Sequence, residues 1–132
     1  MIVLDTHAML WWASGTSDRL SPKALAAIEA ELDGGQIMLS SISAWELAML
    51  VARGRVALSI DTGEWLSLVA QVEAVEFMPV DNDLAVKSVE LPGEFHKDPA
   101  DRLIVATARK LGAPLVTADE KILAYPHVRC IW

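Results

Sequence analysis

Five acidic residues carry the chemistry that this chain could do. Asp5 closes the apolar run Ile2-Val3-Leu4, and Asp119 follows Leu115-Val116-Thr117-Ala118. Glu46 comes shortly after Ile37-Met38-Leu39-Ser40, and the string Asp98-Pro99-Ala100-Asp101-Arg102 sets two acids one helical turn apart. Each falls where a buried strand ends or a helix begins. In open parallel sheets, ligands bind outside the carboxyl ends of the strands. Carboxylates gathered there repel one another unless a cation holds them together. The economical reading is a divalent-metal site, and such sites commonly serve phosphate chemistry.

Every one of these acids also has a structural explanation. Asp5 fits the N-cap of a helix from Thr6 or His7, and Asp98 fits an N-cap followed by proline at the first helical position. Asp101 suits the helix dipole near the third position, and Asp119 suits the N-cap of a helix carrying Ile122 and Leu123. Ser43-Ala44-Trp45-Glu46 has capping-box spacing, in which Glu46 would reach back to the backbone N–H of Ser43. A single carboxylate is dismissed easily on such grounds; four or five at strand ends are not. Where Asp98 and Asp101 compete for one ligand role, Asp101 takes it, because capping already accounts for Asp98. Thr117, beside Asp119, offers a hydroxyl to orient a ligand water.

Alternating strands and helices must position these groups. Strands are expected at Ile2–Leu4, Gln36–Ser40, Val75–Met78, Leu115–Thr117 and Val128–Ile131. Helices are expected over Thr6–Ala13, from Ser21-Pro22 to Asp33, from Ser43 to about Arg53, and from Asp61 to about Glu73. Three more follow: Asn82–Val89, Asp98 to Gly112, and Glu120–Ala124. Strands alternating with helices predict an α/β fold with a parallel sheet covered on both faces. The 132 residues are read as one domain, with no repeat, linker or low-complexity segment.

Composition narrows the function. The chain is 53% hydrophobic with a mean hydropathy of +0.34, yet its apolar runs are too short to span a bilayer. The start, Met1 to Asp5, has no basic segment or cleavage site, and the one cysteine, Cys130, forms no intrachain disulfide framework. A cytoplasmic location is the default expectation. A net charge of -7 argues against a protein that coats nucleic acid through bulk positive charge. It leaves room for an enzyme whose acidic pocket is neutralised by metal. His7, His96 and His127 lack metal-ligand spacing and read as ordinary surface or packing residues, and Cys130 as a structural thiol. There is no P-loop, no G-x-G-x-x-G and no G-x-S-x-G. Core packing is expected to explain most of Trp11, Trp12, Trp45 and Trp65, with at least one free to anchor an interface.

Four ordered blocks resemble one family: Leu4-Asp5-Thr6-His7 with Leu10-Trp11-Trp12; Ser40 to Leu47; His96 to Ala108; and Leu115 to Asp119. Together they resemble the PIN-domain ribonucleases, specifically the VapC toxins of bacterial type II toxin–antitoxin systems. The resemblance implies a three-layer α/β/α PIN-like domain with a central parallel sheet of about five strands. It implies catalytic and metal-binding roles for Asp5, Glu46, Asp101 and Asp119, with Asp98 a further metal candidate in an H-x-D-P-x-D-R motif. Thr6 is implied to contact substrate or the ligand shell, the role that position alone suggests for Thr117. The stretch Arg55 to Leu91 carries little of the family's signature.

By this resemblance the expected activity is a Mg²⁺- or Mn²⁺-dependent endoribonuclease that leaves 5′-phosphate ends. A cognate VapB-type antitoxin covering the acidic cleft and a homodimer are implied partners. The stretches Leu10–Trp12 and Ala44–Val51 are the expected place for the antitoxin groove. Two rivals stand beside it. One is a non-catalytic PIN-like binding module whose acids are only caps. The other is a phosphatase or receiver-type domain, disfavoured because Asp5-Thr6-His7 lacks the second acid of a D-x-D start.

Overall fold

The computed structural model describes all residues from 1 to 132, and its centre is a fully parallel sheet. In chain order the strands are β1 (Ile2–Leu4), β2 (Ile37–Ser40), β3 (Val75–Met78), β4 (Leu115–Val116) and β5 (Cys130–Ile131). They lie side by side in the order β3-β2-β1-β4-β5. The helices are α1 (Thr6–Ala13), α2 (Pro22–Leu32), α3 (Ser41–Ala52), α4 (Thr62–Ala70), α5 (Asn82–Val89), α6 (Pro99–Leu111) and α7 (Glu120–Leu123). None is long and apolar enough to cross a membrane.

Two cores explain the apolar runs of the sequence. Side chains alternate across a strand, so a sheet covered on both faces needs apolar residues at every position. Ile2, Leu4, Ile37, Leu39 and Val116 point into one core with α1, α2 and α4. Val3, Met38 and Leu115 point into the other, against Leu84 of α5, Ile104 and Val105 of α6, and Ile122 of α7. The result is the expected three-layer α/β/α arrangement on five strands.

Local signals start and stop the helices. The Ser21 hydroxyl caps α2 ahead of Pro22, and the Asp61 and Asp81 carboxylates cap α4 and α5. Helix α6 ends at Gly112, whose left-handed backbone (φ 62°) suits a residue without Cβ. Differences from expectation are mostly at element ends: α4 stops at Ala70, and β4 and β5 are two residues each. A short 3₁₀ turn at Ser17–Arg19 carries no apolar period, and the sequence did not announce it.

One expectation is overturned. Helix α3 starts at Ser41, not Ser43, and its N-cap is Ser40, whose hydroxyl accepts from the Ile42 N–H at 3.2 Å. The Ser43–Glu46 capping box therefore does not form. Ser40 ends β2 directly, so its hydroxyl meets the orphan N–H groups first, and Ser43 is already inside the first turn. Glu46 is thereby released from any capping duty.

The order of strands matters for the site. From β1 the chain winds one way to β2 and β3, and the other way to β4 and β5. The crevice between the carboxyl ends of β1 and β4 is thus the switch point where open α/β sheets take ligands.

Candidate active site

Asp5 sits at that crevice because β1 ends there. Its backbone N–H donates to the Val116 carbonyl of β4 at 3.1 Å, continuing the ladder one residue beyond the strand. Its carboxylate is buried and doubly held. Oδ1 accepts from the Ala8 N–H at 2.9 Å as the cap of α1, and Oδ2 accepts from the Thr117 hydroxyl at 2.5 Å. Burial pushes the Asp5 carboxyl above its ordinary range, while these two hydrogen bonds pull the other way.

Thr117 ties a second acid to the first. Its hydroxyl oxygen also accepts from the Asp119 N–H at 3.0 Å, so a single buried side chain spaces the Asp5 and Asp119 segments. Asp119 caps α7, accepting from Lys121 and Ile122 N–H groups. Across the crevice, the Thr6 hydroxyl donates to the Ser43 hydroxyl at 2.9 Å, both buried. That bond docks α3 against the start of α1 and brings Glu46, one turn beyond Ser43, to the same opening.

The last pair comes from α6. Asp98 caps it by accepting from the Asp101 N–H at 3.0 Å. The Asp101 side chain is not used by the cap and faces the crevice. Its carboxyl is pushed up to about 7, first by burial, then by the charges of Asp98, Asp119, Glu46 and Asp5. Four other acids thus act on one, which is possible only because all converge. Together Asp5, Thr6, His7, Trp11, Glu46, Asp98, Asp101, Ala118 and Asp119 line a cleft of about 420 Å³.

Arg102 holds the segment that carries the H-x-D-P-x-D-R string. Its Nε donates to the Ser88 carbonyl at 2.8 Å, and Nη1 donates to the carbonyls of Phe95 and His96 at 3.0 and 3.1 Å. Nη2 adds the Val89 carbonyl at 3.1 Å, and the guanidinium lies 5.9 Å from the Phe95 ring centre. One side chain therefore locks the end of α5 and the loop to α6 around itself.

The chain matches the PIN-domain family over residues 2–128. It belongs to that family. It is 38% identical over 128 residues to the ribonuclease VapC22 of Mycobacterium tuberculosis, covering 97% of this chain and 94% of the relative. That likeness puts the PIN domain described here among the VapC ribonucleases. Among solved structures it resembles VapBC2 of Rickettsia felis bound to a promoter DNA fragment. The TM-score is 0.71 at 20% identity, over 98% of this chain and 97% of that one. It also resembles VapC20 of Mycobacterium tuberculosis, a toxin that cleaves the sarcin–ricin loop. There the TM-score is 0.63 at 19% identity, covering 98% and 99% of the two chains. At those identities the likeness speaks for the fold.

The PIN domain brings together all five acids singled out in the sequence, along with Thr6 at the cleft and Thr117 beneath it. Two histidines read as ordinary surface or packing residues lie at the site. His7 lines the cleft, and His96 Nε2 lies 3.0 Å from Asp101 Oδ2. The latter nitrogen is buried and has no other polar partner, and the approach is not aligned as a directed hydrogen bond. No metal-ligand spacing could have revealed His96, because its partner is brought to it by the cap turn of α6. His127 stays exposed and away from the acids. Of the tryptophans, Trp65 is core, Trp11 and Trp12 pack partly against it, and Trp45 is 56% exposed.

The cleft's donors are carboxylate and hydroxyl oxygens, the set preferred by hard divalent cations. No Lys or Arg lines it to balance the charge. Nor are any three acidic, histidine or cysteine side chains drawn close enough to enclose an ion alone.

Proposed function

We propose that this chain is a Mg²⁺- or Mn²⁺-dependent endoribonuclease, the toxin of a VapBC-type pair, which hydrolyses RNA to leave 5′-phosphate ends. The observation that carries this reading is the convergence of Asp5, Glu46, Asp98, Asp101 and Asp119 on one cleft lined by no Lys or Arg, a crowding that pushes the Asp101 carboxyl up to about 7. Such repulsion lowers stability and serves no purpose in a scaffold; a divalent cation removes it. Asp5 and Asp101 would hold the ion, with Glu46 and Asp119 contributing directly or through water, and Asp98 a further candidate. When bound, such an ion would supply positive charge to acidify water and to offset charge developing on the scissile phosphate. The protein's own contribution is positional. Thr117 and the Ala8 N–H fix Asp5, Thr6 and Ser43 fix the helix of Glu46, and Arg102 fixes the approach to Asp101.

A binding-module reading draws on one observation: Asp5, Asp98 and Asp119 all cap helices. Glu46 and Asp101 cap nothing, and they separate the two readings. Titrating Mn²⁺ into the protein while following thermal unfolding tests them. Ligation raises Tm in wild type and not in Asp101→Asn, because an ion that binds only the folded state stabilises it. A module with acids only as caps gives no carboxylate-dependent rise.

The remaining assignments follow from the same reading. The partner is a VapB-type antitoxin, the toxin is a homodimer, and both act in the cytoplasm. The matched Rickettsia felis structure, a VapBC complex, supports the antitoxin. A basic antitoxin residue would suit the acidic cleft. The antitoxin groove lies along Leu10–Trp12 and Ala44–Val51, where Trp45 offers a largely exposed indole. Trp45→Ala is expected to weaken antitoxin binding by about tenfold or more without lowering Tm, as measured by calorimetric titration. Normal binding by both Trp45→Ala and Trp11→Ala would refute this groove.

A further inference from the structure

The acidic cleft has one large apolar wall. Trp11 and Ala118 are its only apolar lining residues, and Ala118 is small. Trp11 stands one helical turn from His7 on the same face of α1, four residues along. Their rings are 5.7 Å apart at 49°. The indole of Trp132 lies 6.0 Å from that of Trp11 at 51°, and Trp11 also packs on the core beneath α1. The indole is therefore held by packed neighbours while it borders the cleft. Asp5 caps this same helix, so one short element delivers a carboxylate, an imidazole and an indole in sequence to the opening.

We infer that Trp11, with His7 tilted against it, is a stacking platform for one nucleobase of single-stranded RNA, next to the phosphate engaged at the carboxylates. This rests on the nuclease reading and adds to it the part of the substrate that the carboxylates cannot hold. No Lys or Arg lines the cleft, and the whole chain carries a charge of -7. Backbone attraction, the usual source of affinity for RNA, is thus largely missing here. Base stacking on an aromatic ring supplies affinity without positive charge, and a splayed, unpaired base offers its face to it. Trp45, the most exposed indole, does not line this cleft and is left to the antitoxin.

The test uses antitoxin-free protein with Ca²⁺ in place of Mg²⁺. Its probes are a short fluorescent oligoadenylate and versions with a single abasic residue moved along the strand. Binding is read by anisotropy. In wild type, one abasic position weakens binding by about fivefold or more, the lower end for a base on an aromatic side chain. In Trp11→Leu, which keeps an apolar packing residue, the intact strand binds as weakly as the abasic one, and the abasic penalty disappears. Trp11→Phe keeps part of it. A merely structural Trp11 would leave the abasic penalty unchanged, and that result overturns the inference. So would wild-type affinity in Trp11→Leu. Should wild type cleave RNA in Mg²⁺ yet show no abasic penalty, the platform fails and the nuclease stands. If wild type neither cleaves nor binds RNA, both fail.

Discussion

Asp101→Asn is expected to reduce RNA cleavage by about a thousandfold or more, because the charge stabilisation provided by a divalent ion is worth several kcal/mol of barrier. The same substitution is expected to leave the metal-free protein at least as stable as wild type at pH 8. This combination is unusual for a half-buried position. It follows from the direction of the Asp101 shift: its carboxyl is raised from 3.8 to about 7 by burial and by Asp98, Asp119, Glu46 and Asp5. The folded state therefore holds a proton that the unfolded chain releases. That contribution to stability is fully present below about pH 4 and is lost as pH rises through about 7. Metal-free wild type should accordingly lose stability across that window, and Asn at 101, which cannot ionise, should flatten this part of the profile. Divalent ion should reverse the loss in wild type alone. Denaturant unfolding of both proteins at several pH values, with and without Mn²⁺, checks all of it. An Asp101→Asn protein that is less stable than wild type at pH 8 would mean the carboxylate is there for structure.

Arg102→Ala should produce the largest loss of stability among the residues around the cleft. Four carbonyls, those of Ser88, Val89, Phe95 and His96, lose a charged donor at once. Hydrogen bonds to a charged group contribute about 1.5–3 kcal/mol each at most, and water will replace some of them, since the guanidinium is only partly buried. A net cost of about 3 kcal/mol is expected, which lowers Tm by about 10 °C for a chain of this size. Arg102→Lys should recover little, because one ammonium cannot reach carbonyls spread around a planar fork. Cleavage should fall as well, since the loop held by Arg102 carries His96 to Asp101 and leads into Asp98. Thermal unfolding of the alanine and lysine variants settles the first point. A drop under about 2 °C for Arg102→Ala would show that the loop is held by other contacts.

These two residues also mark where the sequence could and could not be read. The sheet was legible because doubly covered strands write themselves as unbroken apolar runs, as at Ile2-Val3-Leu4 and Ile37-Met38-Leu39. Capped starts such as Ser21-Pro22 and Asp98-Pro99 were legible because one side chain and one proline act within a single turn. Acids at strand ends pointed to a shared cleft, because parallel strands deliver their carboxyl ends to one edge. The Ser43–Glu46 spacing misled because a capping box and two residues inside a helix look alike once Ser40 has already supplied the cap. Arg102 gave no sign of its role, since backbone carbonyls have no residue identity to match. His96 was passed over for a related reason: its approach to Asp101 depends on the loop that Arg102 folds. The Thr6–Ser43 bond joins residues 37 positions apart, and no local pattern encodes it.

The most direct test of the nuclease reading is cleavage of total cellular RNA by antitoxin-free protein in Mg²⁺ or Mn²⁺. A chelated sample and folded Asp5→Asn protein run beside it. The account predicts discrete fragments with 5′-phosphate ends in wild type, lost in both controls. Fragments that persist in chelator or in Asp5→Asn would contradict it, as would folded wild type that cleaves no RNA and gains no stability from metal.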